Sequence, residues 1–308
     1  MRILIIGATG FIGRELMNEL ASAGHQPVAV SRNAGKAREI LGNEVDIIEW
    51  DGLSPAVLAD HIAEADAIVN LAGESIASGR WTKRRKKQLL DSRIRTGRLV
   101  TEAIRLSASK PEVLVQASAI GYYGTPVEKP AGEDHQEGTG FLAGLTREWE
   151  SSVSDADTLV QRIIMIRTGL VLGKNDGLLP KMLLPFRFYL GTVLGSGRQW
   201  MSWIHILDEV KAIRFLVENE SSTGPYNLTA PEPVSMKFFI KSLGKTIGKP
   251  AWIRIPAFFL KIALGEMARE TILSSQNIYP DKLLKEGYIF KYHNISKALR
   301  NLLTEELS

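Results

Sequence analysis

The segment Arg2–Gly13, RILIIGATGFIG, constrains this chain more than any other stretch of it. Arg2–Ile6 is an apolar run too short for a helix and closed by glycine, so it reads as a buried parallel strand. Gly7, Gly10 and Gly13 follow at once. Glycine suits a tight strand-to-helix turn because it adopts positive φ and lets backbone approach a ligand closely. A helix is expected over Phe11–Ala23, with Leu16, Leu20 and Ala23 at helical spacing and Gly24 as its stop. Its free N-terminal amides and positive dipole end suit a pyrophosphate. Gly7, Thr9, Gly10, Phe11, Ile12 and Gly13 are therefore the expected cradle of a dinucleotide.

A second apolar strand, Pro27–Val30, ends at Ser31-Arg32. An NAD site carries an Asp or Glu about 20 residues after the glycines, where it accepts from the ribose 2′-hydroxyl. No acid stands here. A carboxylate would repel a 2′-phosphate, whereas a guanidinium and a hydroxyl both donate to one. The expected cofactor is NADP.

The 308 residues suffice for one large α/β unit or two domains, and 44% hydrophobic with 23% charged residues is ordinary for a globular protein. The absence of cysteine excludes disulfides and thiolate metal ligands and suits a cytoplasmic location. No targeting segment and no apolar run of transmembrane length is read, so no membrane partner is expected. The net charge of +4 is concentrated in Arg80–Lys87 (RWTKRRKK), with Arg93, Arg95 and Arg98 following. Without a nucleic-acid-binding motif, this reads as a solvated helix face beside an anionic cofactor and substrate, and no nucleic acid is expected. Pro256–Met267 (PAFFLKIALGEM) reads as a packed core helix in preference to an interfacial one. The state of assembly, monomer or homodimer, is left open.

Strands at Val45–Glu49, Ala67–Leu71, Val113–Ala117 and Leu159–Arg167 alternate with helices over Pro55–Ala63, Thr82–Leu106 and Gly140–Ser154. This alternation predicts an α/β fold, a Rossmann-like doubly wound parallel sheet, with a smaller C-terminal α/β substrate lobe. The nucleotide-binding domain is expected over 1–173, with returns from about 200–230, and the lobe over 174–308. Ligands of such sheets lie beyond the carboxyl ends of the strands. Asp51-Gly52 follows the third strand, where Asp51 reads either as an acceptor for the adenine amino group or as a turn residue. Leu71, Ala72, Gly73 and Glu74 follow the fourth, beside the nicotinamide-side ribose. Glu74 and Arg80 share one loop and either order one another or touch substrate. Ser118-Ala-Ile-Gly-Tyr122-Tyr123-Gly follows the fifth and is the catalytic candidate. Ser118 would hold a substrate oxygen, and Tyr122 or Tyr123 would pass a proton once a cation lowers its pKa; alternatively both tyrosines wall the cleft. The five histidines lack ligand spacing, so no metal is expected. His205 reads as a satisfied core histidine.

GATGFIG, VNLAGE, SAIGYYG and RTGLVLG together resemble the extended short-chain dehydrogenase/reductases, the NAD(P)-dependent epimerase/dehydratase superfamily. Ser92-Arg93, Trp149-Glu150, GSGRQWMSWIHILD, NLTAPEPVS, Pro256, Gly265-Glu266 and Ser274-Ser275-Gln276 are similar to an atypical subfamily, called simply epimerase family proteins, which has its own small C-terminal domain. The resemblance implies a reaction through a Tyr and a Lys four residues later on one helix. Aligned on Glu150, those places fall at Leu142 and Thr146, and Ser92 stands where the superfamily has a helix-four Asn. Two readings follow. In one, the chain is an NADP-dependent oxidoreductase or nucleoside-diphosphate-sugar epimerase-like enzyme acting on an unknown small molecule, with Tyr122 or Tyr123 and the cation Arg147 replacing the lost pair. In the other, it is a non-catalytic NADP-binding or redox-sensing protein.

Overall fold

A computed structural model describes residues 1–77 and 79–304. The first part runs β1 (Arg2–Ile6), α1 (Phe11–Ser22), β2 (Gln26–Ser31), α2 (Ala34–Leu41), β3 (Asp46–Glu49), α3 (Pro55–Ile62), β4 (Ala67–Asn70), α4 (Lys83–Leu106) and β5 (Val113–Ala119). A 3-10 turn (Ile120–Tyr123), β6 (Val127–Ala131) and α5 (Phe141–Ser151) lead to β7 (Arg162–Thr168). The remainder is β8 (Leu170–Leu172), α6 (Leu179–Arg187), β9 (Gly191–Leu194), β10 (Trp200–Met201), β11 (Trp203–His205), α7 (Ile206–Glu218), β12 (Gly224–Leu228) and β13 (Val234–Ser235). It closes with α8 (Met236–Thr246), β14 (Ala251–Ile255), α9 (Ala257–Leu264), α10 (Glu266–Glu270), β15 (Gln276–Ile278), α11 (Asp281–Lys285) and α12 (Ile295–Thr304).

Seven strands form one parallel sheet in the order β12-β7-β5-β4-β1-β2-β3. A parallel sheet covered by helices buries both faces, which is why residues 3–6 of β1 and 67–69 of β4 read as unbroken apolar runs. The order reverses at β1, between β4 and β2, and the crevice at their carboxyl ends is the ligand position of such folds. α4 is set close against the segment after α5 because Gly97 has no side chain; a Cβ there would overlap Ser152 Oγ and come within 2.9 Å of its Cβ. After β7 the chain builds a smaller lobe from α6, β9, α8, β14, α9 and α10. It returns twice to the main body: α7 packs on α1, and β12 extends the sheet beside β7.

Two elements differ from the sequence reading. α2 has only Ala37 buried, so it carries no apolar stripe to announce it; what starts it is Asn33, whose Oδ1 accepts from Lys36 N–H at 2.8 Å. The segment Pro256–Met267 is not one packed core helix. Gly265, at φ 62°, ends α9 and begins α10, and α9 has no buried residue: Phe258, Phe259 and Ile262 are all more than half exposed. Only Met267 of the stretch is buried. Among the described residues no helix is long and apolar enough to cross a membrane.

Candidate functional site

The glycine loop stands at the carboxyl end of β1, with Gly7 at φ 89° and Gly10 N–H donating to Gly7 O at 3.0 Å. A Cβ on Gly13 would overlap Gly7 O and lie 2.7 Å from Ala8 Cα, so only glycine lets α1 descend onto the loop. A Cβ on Gly7 would stand 3.1 Å from Leu71 C, which brings the β4 loop against the same turn. No side chain caps α1 at Gly10 and its first turn holds no acid, so amides and dipole face an anion without competition. These residues fit a dinucleotide pyrophosphate. Phe11 contributes backbone only, because its ring packs against Gly173 and Gly177. Arg14, not singled out by sequence, braces the loop: it donates to Thr9 O at 3.1 Å and pairs with Asp176 at 2.8 Å.

Ser31 and Arg32 lie at the carboxyl end of β2. Ser31 Oγ donates to Asn33 O at 3.3 Å, while Arg32 is exposed with no ion-pair partner among the described residues. Asp51 Oδ1 accepts from Leu53 and Ser54 N–H, so the turn uses that oxygen, and Gly52 O accepts from Arg95. Ala72 N–H donates to Asn70 Oδ1, and Asn70 in turn donates to Gln116 at 2.8 Å, joining the β4 and β5 ends in a buried amide pair. Gly73 rests on the Arg93 guanidinium, which burial brings down to about pKa 10 and which donates to Glu74 O and Leu89 O. Glu74 and Arg80 do not order one another. The Glu74 carboxylate pairs with Arg85, in the first turn of α4, whereas Arg80 reaches across to Ile262 O at 3.1 Å. Nor is the basic run a solvated face throughout: Lys86 pairs with Glu266, and Arg93 is buried over Trp149.

The loop after β5 meets the end of β7, and there the titratable groups converge. Ser118 Oγ donates to Glu150 Oε1 at 2.6 Å. Glu150 is held bidentately by Arg167, Nε to Oε1 at 2.8 Å and Nη2 to Oε2 at 2.9 Å, both side chains largely buried. The Arg167 guanidinium lies 3.5 Å from the centre of the Tyr122 ring and donates through Nη1 to the Tyr123 hydroxyl at 3.0 Å. Burial alone would lower the Arg167 pKa, but its bonds to Glu150 and Tyr123 reverse that and hold it above its ordinary value. Arg167 is therefore the cation of this centre. Arg147 is not: it is half-exposed on the far side of α5, paired with Glu137 and near Glu148.

The two tyrosines differ. Burial pushes the Tyr123 hydroxyl up to about 12 despite Arg167, and its proton is committed to Asn227 Oδ1 at 2.7 Å. Asn227 N–H donates to Glu133, a buried carboxylate whose pKa burial raises. Tyr122 is half-buried, and its hydroxyl makes no hydrogen bond among the described residues. Leu142 and Thr146 lie directly beneath this loop: a Cβ on Gly121 would be 3.2 Å from Leu142 Cβ and 3.7 Å from Thr146 Cγ2. The Thr146 hydroxyl is turned onto its own helix, to Leu142 O and Ala143 O. Glu270 ties the lobe to this helix by accepting from Phe141 and Leu142 N–H. His205 is buried, bonded to Asn301, and caps α7; burial brings its pKa down to about 4. Among the described residues no group of three or more His, Asp or Glu could hold a metal ion.

Sequence reasoning missed Arg167, Glu150, Glu133 and Asn227 as members of the centre. Arg167 carried a signal, being a cation inside an apolar strand at its carboxyl end, where this fold puts ligands.

Known proteins resemble this chain in sequence and fold. A model described as the NAD dependent epimerase/dehydratase family matches residues 3–229, and a domain of unknown function, DUF1731, matches 255–302. Epimerase family protein YfhF of Bacillus subtilis is 39% identical over 308 residues, 99% of each chain. A chloroplastic SDR39U1 homologue of Arabidopsis thaliana is 37% identical, covering 98% of this chain and 87% of its own. Among solved structures, human epimerase family protein SDR39U1, crystallised with NADPH, superposes with a TM-score of 0.86 at 29% identity, covering 99% of this chain and all of that one.

Proposed function

The chain belongs to the NAD dependent epimerase/dehydratase family, and from that premise we propose that it binds NADP(H) and catalyses oxidation or reduction at a carbon bearing oxygen in a small substrate. The observation that carries the proposal is the convergence of Ser118, Tyr122, Glu150 and Arg167 at the ends of β5 and β7, two strands from the glycine loop. Gly7, Thr9, Gly10, Phe11, Ile12 and Gly13 would hold the pyrophosphate, and Ser31 with Arg32 the 2′-phosphate. Asp51 and Gly52 would flank the adenine, and Leu71, Ala72, Gly73 and Glu74 the nicotinamide-side ribose. Arg80, spent on Ile262, serves the loop rather than the cofactor. The NADPH in the SDR39U1 structure supports this choice over NAD.

When bound, the nicotinamide accepts or supplies the hydride. The chain's residues manage the oxygen and its proton. Ser118 accepts a hydrogen bond from the substrate hydroxyl because its own proton is directed to Glu150. Tyr122 exchanges the proton, since it is half-buried, makes no other hydrogen bond among the described residues and has its ring against the Arg167 guanidinium. Tyr123 keeps its proton and fixes Arg167 in place.

Tyr122→Phe is expected to lower turnover of a substrate found by screening metabolites on the NADPH-loaded chain by roughly 10²–10⁴-fold, with NADPH affinity unchanged. Tyr123→Phe should affect stability more than the proton-transfer step. Unchanged turnover in Tyr122→Phe would remove the assignment. A second reading is favoured by Leu142 and Thr146, which fill the place of the Tyr-Lys pair with groups unable to exchange protons: the chain binds NADP(H) and reports its redox state without turning over. Hydride transfer to any metabolite counts against that reading.

A further inference from the structure

Two stretches of the chain, 177–207 and 233–265, contain no Asp or Glu, yet they carry three and six Lys or Arg respectively. They supply α6, β9, α8, β14 and α9, the bulk of the smaller lobe. The same two stretches hold nine of the fifteen large apolar side chains that stand exposed among the described residues. Apolar groups gathered on a surface whose charges are all of one sign mark a place where the molecule meets something else.

The apolar groups gather along β14 and its continuation. Trp252 leaves this strand toward solvent and donates through Nε1 to Tyr189 O at 3.0 Å, which holds its indole beside the Phe188-Tyr189-Leu190 turn. Among the described residues Tyr189 is the one non-glycine at positive φ, 60°, an unfavourable conformation for a bulky residue that here leaves the ring exposed. At its carboxyl end β14 passes through Pro256 into α9, where Phe258 and Ile262 lie one turn apart on the outer face and Phe259 packs edge-on to Phe258. Cations are interleaved with these groups. Lys249 Nζ lies 4.7 Å from the centre of the Tyr189 ring, Arg254 leaves β14 on the same side as Trp252, and Lys261 is exposed on α9. The nearest acids along the chain, Glu266 and Glu270, turn inward, to Lys86 and to the Phe141 and Leu142 amides.

A second copy of this chain fits the surface poorly, because a two-fold contact would set the same uncompensated cations against one another. A polyanion without hydrocarbon would leave Leu190 and Ile262 with nothing apolar to meet. An anionic bilayer satisfies both kinds of group: aromatic and aliphatic side chains enter the headgroup and acyl boundary, while Lys and Arg meet the lipid charges. We infer that the α9–β14 face of the lobe docks reversibly on an anionic lipid bilayer through Trp252, Phe258, Phe259 and Ile262, with Lys249, Arg254 and Lys261 against the headgroups. The expectation of no membrane partner rested on the lack of a spanning run, and a surface contact needs none. The inference stands on the lobe surface alone and is independent of cofactor and of turnover.

The test is co-sedimentation of the full chain with vesicles of phosphatidylcholine alone and of phosphatidylcholine mixed with phosphatidylglycerol. Binding is expected to be roughly tenfold or more tighter to the anionic vesicles. It should shift tryptophan emission to the blue, a shift that Trp252→Phe removes while binding persists. Phe258→Ser combined with Phe259→Ser should weaken binding roughly a hundredfold, and Lys249→Gln combined with Lys261→Gln roughly tenfold, with urea midpoints little changed. No binding to either vesicle, equal binding to both, or native binding by the double phenylalanine variant overturns the assignment. So does a dimer, seen by sedimentation velocity without vesicles, that the double phenylalanine variant dissolves, since a second copy would then cover the face.

Discussion

Arg167→Met is the perturbation that most directly probes the reactive centre, because one side chain there links Glu150, Tyr122 and Tyr123. The Arg167 and Glu150 side chains are 5% and 14% exposed. Breaking a buried pair by removing one partner costs about 3–5 kcal/mol, since a charge is left without compensation. The residual exposure of Glu150 and its retained bond from Ser118 put Arg167→Met near the lower figure, about 3 kcal/mol. Glu150→Gln keeps an oxygen for Ser118, and it leaves Arg167 with the Tyr123 hydroxyl and the Tyr122 face, for a cost of about 2 kcal/mol. With both partners neutral no orphan charge remains, so the double variant should cost about 3 kcal/mol rather than the sum. The coupling is then about 2 kcal/mol, within the range found for contacting residues. Urea unfolding midpoints at constant slope measure it. Single-variant losses that add to within about 0.5 kcal/mol would show that the two groups do not act as a pair, and the account of Arg167 as the cation of this centre would fall.

Three further outcomes are expected. Glu209 is completely buried, with Oε1 accepting from Thr168 and Oε2 without a partner among the described residues, and burial pushes its pKa up to about 8. The folded state therefore binds the extra proton between the unfolded value near 4.5 and about 8, so stability falls as pH rises through that window. Glu209→Gln should be close to neutral at pH 5 and stabilising, on the order of a few kcal/mol, at pH 8.5; an equal effect at both pH values in thermal melts refutes this. Gly13→Ala forces a methyl into Gly7 and Ala8, and should cost about 1–3 kcal/mol and abolish dinucleotide binding, read by NADPH fluorescence titration. Phe258→Ser and Ile262→Ser on α9 should each change stability by less than about 0.5 kcal/mol, because neither side chain is buried; a larger loss in urea unfolding would mean α9 packs after all.

The sheet and the glycine loop were legible because each rests on local rules. Parallel strands read as apolar runs, and the turn from β1 to α1 admits only glycine at Gly13. The membership of the reactive centre was less so. Ser118 stands near the end of β5, and Tyr122 and Tyr123 lie in the 3-10 turn that follows it, so the three could be read together, but their partners come from α5, β7 and β12, joined only by the folded sheet. Arg147 stands next in sequence to the place of the missing lysine, but helical geometry sends it outward to Glu137. α9 misled for a different reason: its composition is that of a core helix, and composition alone does not say whether a neighbour covers it.

On the proposed function, the glycine loop with Ser31-Arg32 selects a dinucleotide bearing a 2′-phosphate. Dissociation constants for NADPH and NADH, measured side by side on the native chain and on Arg32→Ala, test it most directly. NADPH is expected to bind more tightly by roughly 10–100-fold, the worth of a charge-assisted phosphate contact, and that ratio should collapse in Arg32→Ala with NADH affinity unchanged. Equal affinities in the native chain, or a preference for NADPH that survives the loss of Arg32, would contradict it.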